Sequence, residues 1–369
     1  MLIGVLKSGT TPLVPVVPSV ASKYIKDGHS ILIEKGAGNH SYFGDEAYQQ
    51  AGAELSDKET ILHQSDIVLV DTAIDPPDIS KMKSGAMLIG KFNILTNPKY
   101  ANELRKNDIR IFSLDLVPRS SIAQSMDVLS SLASLSGYKA VIGAAVRFSG
   151  YFPMMTTAAG TVPPAKVLIL GAGVAGLQAI ATARRLGASV EAFDVRSAVK
   201  EEVQSLGAKF VEVPGAQEDQ AAGGYAVQQT EEYIQKQKEL IHERASKADV
   251  VITTANIPGK KAPLLVEKRT VEAMQPGSVI IDMASASGGN CEVSEDEKEI
   301  VINGVKILGD SRLYHKLPKE ASRLYSTNLY NFIKFVLKDG EEGIPYDHEI
   351  VQKTLITEFK TEPTEIVEK

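Results

Sequence analysis

Short apolar runs alternate with longer mixed segments along most of this chain. In the first third the runs fall at Leu2–Val5, Ile31–Glu34, Ile67–Val70, Met87–Gly90 and Ile111–Leu114. Each is short and mostly apolar, the pattern of a strand covered on both faces. Between them, segments such as Val20–Lys26 and Glu46–Ala51 space their apolar residues at helical intervals. A second series runs through Val167–Leu170, Val190–Phe193, Phe210–Val213, Val250–Thr253, Val279–Asp282 and Lys306–Leu308. Strand and helix in alternation predict parallel sheets flanked by helices. Gln124–Ala145 reads as a helix passing between the two series. Tyr325–Leu337, with apolar residues at helical spacing, reads as a helix packing back on the first.

The second series opens on a glycine-rich turn. Val167–Leu170 is followed by Gly171-Ala-Gly173-Val174-Ala175-Gly176, then a helical stretch, then Val190–Phe193 ending in Asp194. The acid stands at about the ~20-residue offset expected of a dinucleotide-binding fingerprint. The three glycines have separate roles. Gly171 permits the tight turn, Gly173 lets backbone approach a pyrophosphate, and Gly176 lets helix and strand pack closely. The helix start then offers unpaired N–H groups to the phosphates. Asp194 would accept hydrogen bonds from a ribose 2′-hydroxyl and repel a 2′-phosphate, which favours NAD(H) over NADP(H). Arg196 argues the other way, since an arginine there could hold a 2′-phosphate. No such turn follows Leu2–Val5, so the first series is not expected to bind a dinucleotide by itself. The expected fold class is α/β, two Rossmann-like domains with parallel β-sheets and a nucleotide cleft between them. The N-terminal domain is expected over 1–127 plus 321–369, and the nucleotide-binding one over 128–320.

The 369-residue length fits about two domains on the ~150-residue norm. A formal net charge of −6 without a long basic run argues against a nucleic-acid partner. The lone Cys291 excludes an internal disulfide framework and fits a reducing compartment. Met1–Lys7 lacks the charged and long apolar regions of a signal peptide. Runs such as Val167–Leu170 are too short to span a bilayer, so no direct membrane insertion is expected. His29, His40, His63, His242, His315 and His348 are scattered without metal-ligand spacing, and no metal site is expected.

Two segments exceed what the fold needs. Gly215–Thr230 contains Gly223-Gly224-Tyr225 and is long for a connection within an α/β unit, as lids often are. Pro118–Asp127 places Arg119, Gln124 and Asp127 between a strand end and a helix, where open α/β folds bind ligands.

These segments, with Thr253–Lys260 and Asp282–Glu292, resemble one family closely: the NAD(H)-binding domain I of the proton-translocating nicotinamide nucleotide transhydrogenases, related to alanine dehydrogenase. The resemblance spans nearly the whole chain. It implies the soluble alpha subunit of a split, Si-specific enzyme that transfers hydride from NADH to NADP⁺. The NADP(H) would be held by domain III of a partner subunit, with the exchange coupled to proton translocation through a membrane domain. It implies a homodimer, peripheral on the cytoplasmic face of the inner membrane. Residue by residue, it places Arg119, Gln124 and Asp127 as the catalytic group beside the nicotinamide, with Ser130 near the same carboxamide. Gly171, Gly173, Val174, Ala175 and Gly176 would hold the pyrophosphate, and Asp194, Val195 and Arg196 the adenosine end. Gly224 and Tyr225 would close over the nucleotide, and Ala255 and Asn256 would line the pocket. Two departures from the family pattern stand out: Asn256 replaces an apolar residue, and Thr10–Val14 replaces Glu-x-Arg-Val.

An alanine dehydrogenase-like amino acid oxidoreductase is the rival from the same resemblance. Such an enzyme needs an arginine for the substrate carboxylate, and Leu13 and Val14 stand near that place. It also needs a lysine after Ile67–Val70 and a histidine after Met87–Gly90, where Asp71 and Lys91–Ile94 stand instead. Proton transfer accompanies amino acid oxidation and requires acid–base groups, whereas hydride exchange between two nicotinamides requires only closely oriented rings. A non-catalytic NAD(H)-sensing protein is the third reading, and the intact Arg119/Gln124/Asp127 set speaks against it.

Overall fold

The computed structural model describes residues 1–105, 108–213, 230–257, 259–338, 340 and 343–357. The chain divides into two compact units, Met1–Leu129 with Pro318–Lys369, and Ser130–Leu317.

Unit 1 alternates strand and helix: β1 (Leu2–Val5), α1 (Pro18–Lys26), β2 (Ser30–Glu34), α2 (Asp45–Gln50), β3 (Glu54–Ser56), α3 (Lys58–Gln64), β4 (Ile67–Leu69), α4 (Pro76–Ile79), β5 (Met87–Gly90), α5 (Pro98–Leu104) and β6 (Arg110–Ser113). The six strands are all parallel in the order β3-β2-β1-β4-β5-β6. This is a doubly wound sheet whose order reverses between β1 and β4. Strands β4, β5 and β6 are buried from end to end.

Unit 2 begins within α6 (Val128–Arg147) and continues through β7 (Met155–Thr157), β8 (Gly160–Val162), β9 (Lys166–Leu170), α7 (Val174–Arg185), β10 (Ser189–Phe193), α8 (Lys200–Ser205), β11 (Lys209–Val211), α9 (Glu231–Ala245), β12 (Val250–Thr253), α10 (Lys268–Ala273), β13 (Val279–Asp282), β14 (Lys298–Ile302) and β15 (Val305–Gly309). Its sheet runs β11-β10-β9-β12-β13-β15-β14, parallel except for the antiparallel edge strand β14. β7 and β8 form a separate exposed hairpin. Apolar layers cover both faces of the main sheet, one contributed by α6 and α7, the other by α9 and α10.

The chain then returns to unit 1 as α11 (Pro318–Val336) and α12 (Glu349–Thr354). The α11 serines Ser322 and Ser326 accept the Val14 and Val17 N–H groups at 3.0 and 3.1 Å, and Tyr325 Oη donates to the Val70 carbonyl at 2.9 Å. The expected α/β architecture is therefore present, with a parallel sheet in each unit.

Helix α6 differs from expectation twice. It begins at Val128, and Gln124–Met126 forms a separate 3-10 turn because Asp127 is extended, with φ −74 and ψ 93. With 20 residues of largely apolar composition it is also long enough to cross a membrane, a candidate that the short strand runs did not suggest. Ala140, Val141 and Ala144 are instead buried in the unit 2 core.

Candidate functional site

The glycine turn is built by three strand ends. Gly171 follows β9 with φ +103, a left-handed conformation that a Cβ would strain. Its N–H donates to the Phe193 carbonyl at 2.8 Å, and its carbonyl accepts Thr254 Oγ1–H at 3.0 Å. The turn is thus fastened to the ends of both β10 and β12, at the point where the strand order reverses. A Cβ on Gly176 would stand 1.9 Å from the Gly171 carbonyl oxygen, so the helix start can lie against the turn only without one. A Cβ on Gly173 would meet nothing within 4 Å. Gly173 is the α7 N-cap, and no side chain caps that helix. Val174 is exposed and Ala175 half-buried. An approachable backbone and an uncapped helix start together suit a pyrophosphate, so this part of the site fits a dinucleotide.

Behind the turn stands Asp194, whose side chain is only 7% exposed. Its Oδ2 accepts the Ala172 N–H at 2.7 Å and Arg196 Nη2 at 2.7 Å, and its Oδ1 accepts the Arg196 N–H at 2.9 Å and Nε at 2.8 Å. Hydrogen bonding to this carboxylate raises the Arg196 guanidinium above its ordinary value. Val195, between them, is half-buried.

The far wall rests on a buried acid that sequence reasoning missed. Asp282, fully buried at the end of β13, accepts Thr253 Oγ1–H at 2.9 Å, the Ala284 N–H at 3.0 Å, the Cys291 N–H at 3.0 Å and a short bond from Ser294. Asn290 Nδ2 donates to the Ala255 and Pro263 carbonyls, both at 2.8 Å. These bonds tie the loop after β13 to the loop after β12, where Ala255 is half-buried and Asn256 exposed. The available signal was a pair of polar residues, Thr253 and Asp282, closing two apolar strands. Burial pushes the Cys291 thiol up to about 12, so it stays protonated. Gly137 was also missed. Its Cβ would stand 2.1 Å from the Ala175 carbonyl oxygen, so α6 lies against the start of α7. Ser130 sits near the beginning of α6, half-buried.

In unit 1, Arg119 and Gln124 are exposed and Asp127 is half-buried. They share the connection from β6 to α6. Asn328 and Asn331 of α11 hold this connection by donating to the Ser125 carbonyl at 2.9 and 3.0 Å. Leu13 and Val14 are core residues. Asp71 is buried, and Thr11 Oγ1 donates a short hydrogen bond to it. Burial raises its carboxyl, opposed by the Thr11 and Ser8 hydroxyls and the Lys91 charge. Gly224 and Tyr225 lie outside the described residues.

Two doubly wound sheets, one carrying a dinucleotide-type turn, define a Rossmann-class protein. The family patterns described as the N-terminal and C-terminal domains of "Alanine dehydrogenase/PNT" match residues 12–136 and 140–361. The chain belongs to this family. It is 46% identical over 328 residues to an NAD(P) transhydrogenase alpha-subunit chain of Rhodospirillum rubrum, covering 87% of this chain and 85% of that protein. A solved structure of a transhydrogenase from Sinorhizobium meliloti superposes with a TM-score of 0.84 at 37% identity, covering 97% of each chain. The alanine dehydrogenase of Bacillus subtilis is 28% identical over 297 residues, 79% of this chain and 72% of that enzyme.

Proposed function

We propose that this chain is the NAD(H)-binding alpha subunit of a proton-translocating, Si-specific NAD(P)⁺ transhydrogenase. The observation that carries the reading is the turn Gly171–Gly176, with open space over Gly173, an uncapped helix behind it and the Asp194 carboxylate at its base. The names of the relatives point the same way. Bound NADH supplies the hydride. Gly173, Val174, Ala175 and Gly176 turn backbone toward the pyrophosphate, with Gly171 setting the turn. Asp194 accepts from the adenosine ribose, while Val195, Ala255, Asn256 and Ser130 bound the nucleotide. Arg119, Gln124 and Asp127 orient the nicotinamide toward NADP⁺ held by domain III of a partner subunit. The chain acts as a homodimer docked on a membrane domain at the cytoplasmic face, and proton flow through that domain drives the exchange.

The unit 1 geometry disfavours an alanine dehydrogenase-like amino acid oxidoreductase. Leu13 and Val14 are packed into the core, and Asp71 is tied to Thr11, so no arginine or lysine waits at those positions. Calorimetry of the purified chain with NADH and NADPH tests the reading. NADH is expected to bind much more tightly, and equal affinities would contradict the assignment.

A further inference from the structure

Asp194 is already saturated. An ionised carboxylate offers about four lone-pair positions. The Ala172 N–H, the Arg196 N–H and two guanidinium nitrogens of Arg196, at 2.7 to 2.9 Å, fill them. A ribose hydroxyl therefore has no acceptor until one of these donors leaves. The two backbone donors are fixed by the turn and the strand end. The two guanidinium donors sit on a side chain that is 23% exposed, so they are the pair that an entering ligand can reach and displace. The same guanidinium is the group that an NADP-type site uses to hold a 2′-phosphate. Its planar fork suits phosphate oxygens as well as it suits a carboxylate.

We propose that Arg196 is a masked 2′-phosphate receptor, held off by Asp194. The carboxylate repels the phosphate and also sequesters the cation that would attract it. The ribose of NAD(H) enters by displacing the Arg196 fork from Asp194, while the Ala172 and Arg196 N–H bonds remain. This rests on the reading that unit 2 binds NAD(H).

Each part has a distinct consequence. Removing the carboxylate unmasks the guanidinium, so Asp194→Ala loses NADH affinity and gains NADPH affinity. The gain depends on Arg196, so the double variant with Arg196→Ala loses it. The family resemblance puts Arg196 among the groups that hold the adenosine end; on this proposal its guanidinium instead competes there for Asp194, so Arg196→Ala alone removes that competitor and binds NADH at least as tightly as the unmodified chain.

The test is calorimetric titration of the full chain and these three variants with NADH and NADPH, with 2′,5′-ADP and 5′-AMP as probes of the 2′-phosphate alone. The expected gain for NADPH and 2′,5′-ADP in Asp194→Ala is at least roughly tenfold, what one charge-assisted hydrogen bond contributes. It should be absent for 5′-AMP and abolished in the double variant. Should Asp194→Ala fail to fold, Asp194→Asn keeps an acceptor for the Ala172 N–H and is compared with its own Arg196→Ala double variant. No gain in a folded Asp194 variant, or a gain that survives loss of Arg196, would overturn the masked-receptor proposal. A several-fold loss of NADH affinity in Arg196→Ala would overturn the displacement step. If the unmodified chain binds neither NADH nor 5′-AMP, the NAD(H) reading itself falls and this proposal with it. Normal NADH binding with either contrary result sinks the proposal alone.

Discussion

Gly173 and Gly176 stand three residues apart under opposite constraints. Gly176 is fixed by the protein, because its Cβ would collide with the Gly171 carbonyl, whereas the space over Gly173 is open. Gly176→Ala should therefore cost about 1–3 kcal/mol of stability, the usual range for overpacking. Gly173→Ala meets no clash and should cost no more than about 1 kcal/mol, the scale of a change to Ala at an N-cap, yet weaken NADH binding. Denaturant midpoints and calorimetry on both variants check this, and unchanged NADH affinity in Gly173→Ala would remove the pyrophosphate from that position. The fingerprint glycines and Asp194 were legible because their spacing is itself the signal. Gly137, Asn290 and the saturation of Asp194 were not, because each depends on which atoms meet after folding. Asp71 supplies a pH test. Burial raises its carboxyl above the ordinary range. Its neutral form stabilises the fold at low pH, and that stability is lost as pH rises through the raised value. The stability of Asp71→Asn relative to the unmodified chain should therefore increase from acid to neutral pH in denaturant titrations. A constant or shrinking difference would contradict the burial argument.

At the scale of elements, the buried parallel strands were readable from apolar runs alone. The strands that escaped notice are β3, β14 and the β7–β8 hairpin, none of whose residues is fully buried; the one apolar run among them, Ile300–Ile302, lies on the edge strand β14. The α6 boundary was misplaced by four residues for a tertiary reason. Asn328 and Asn331, some 200 residues later, occupy the Ser125 carbonyl, and the chain is extended at Asp127. If this pinning sets the Arg119/Gln124/Asp127 connection, Asn328→Ala with Asn331→Ala should slow hydride transfer while leaving NADH affinity within about twofold. A displacement near 1 Å can cost ~100-fold in rate. Gln124→Asn should act in the same direction more mildly. Single-turnover transfer rates set against NADH dissociation constants decide the matter, and a loss confined to affinity would contradict a positioning role.

For the whole molecule, the two α/β units were visible in the order of the runs. Their different chemistry was visible too, since only one carries the glycine turn. After β1 the chain takes the longer course Leu6–Val17 before α1, with Leu13, Val14, Val16 and Val17 buried. What sequence could not show is how the unit 1 strand ends are occupied, with Thr11 donating to Asp71 where an alanine dehydrogenase-like enzyme would need open basic groups. The chain should accordingly produce no NADH from L-alanine and NAD⁺. Sustained alanine-dependent reduction would return it to the dehydrogenase branch. The most direct test of the central claim is hydride transfer itself. The purified chain is mixed with an NADP(H)-binding domain III from a transhydrogenase, and label from the nicotinamide C4 of deuterated NADH is followed into NADP⁺. The expected result is direct transfer of the label that requires both proteins, with none lost to water. Absence of transfer with both nucleotides demonstrably bound, or transfer with washout of the label, would contradict it.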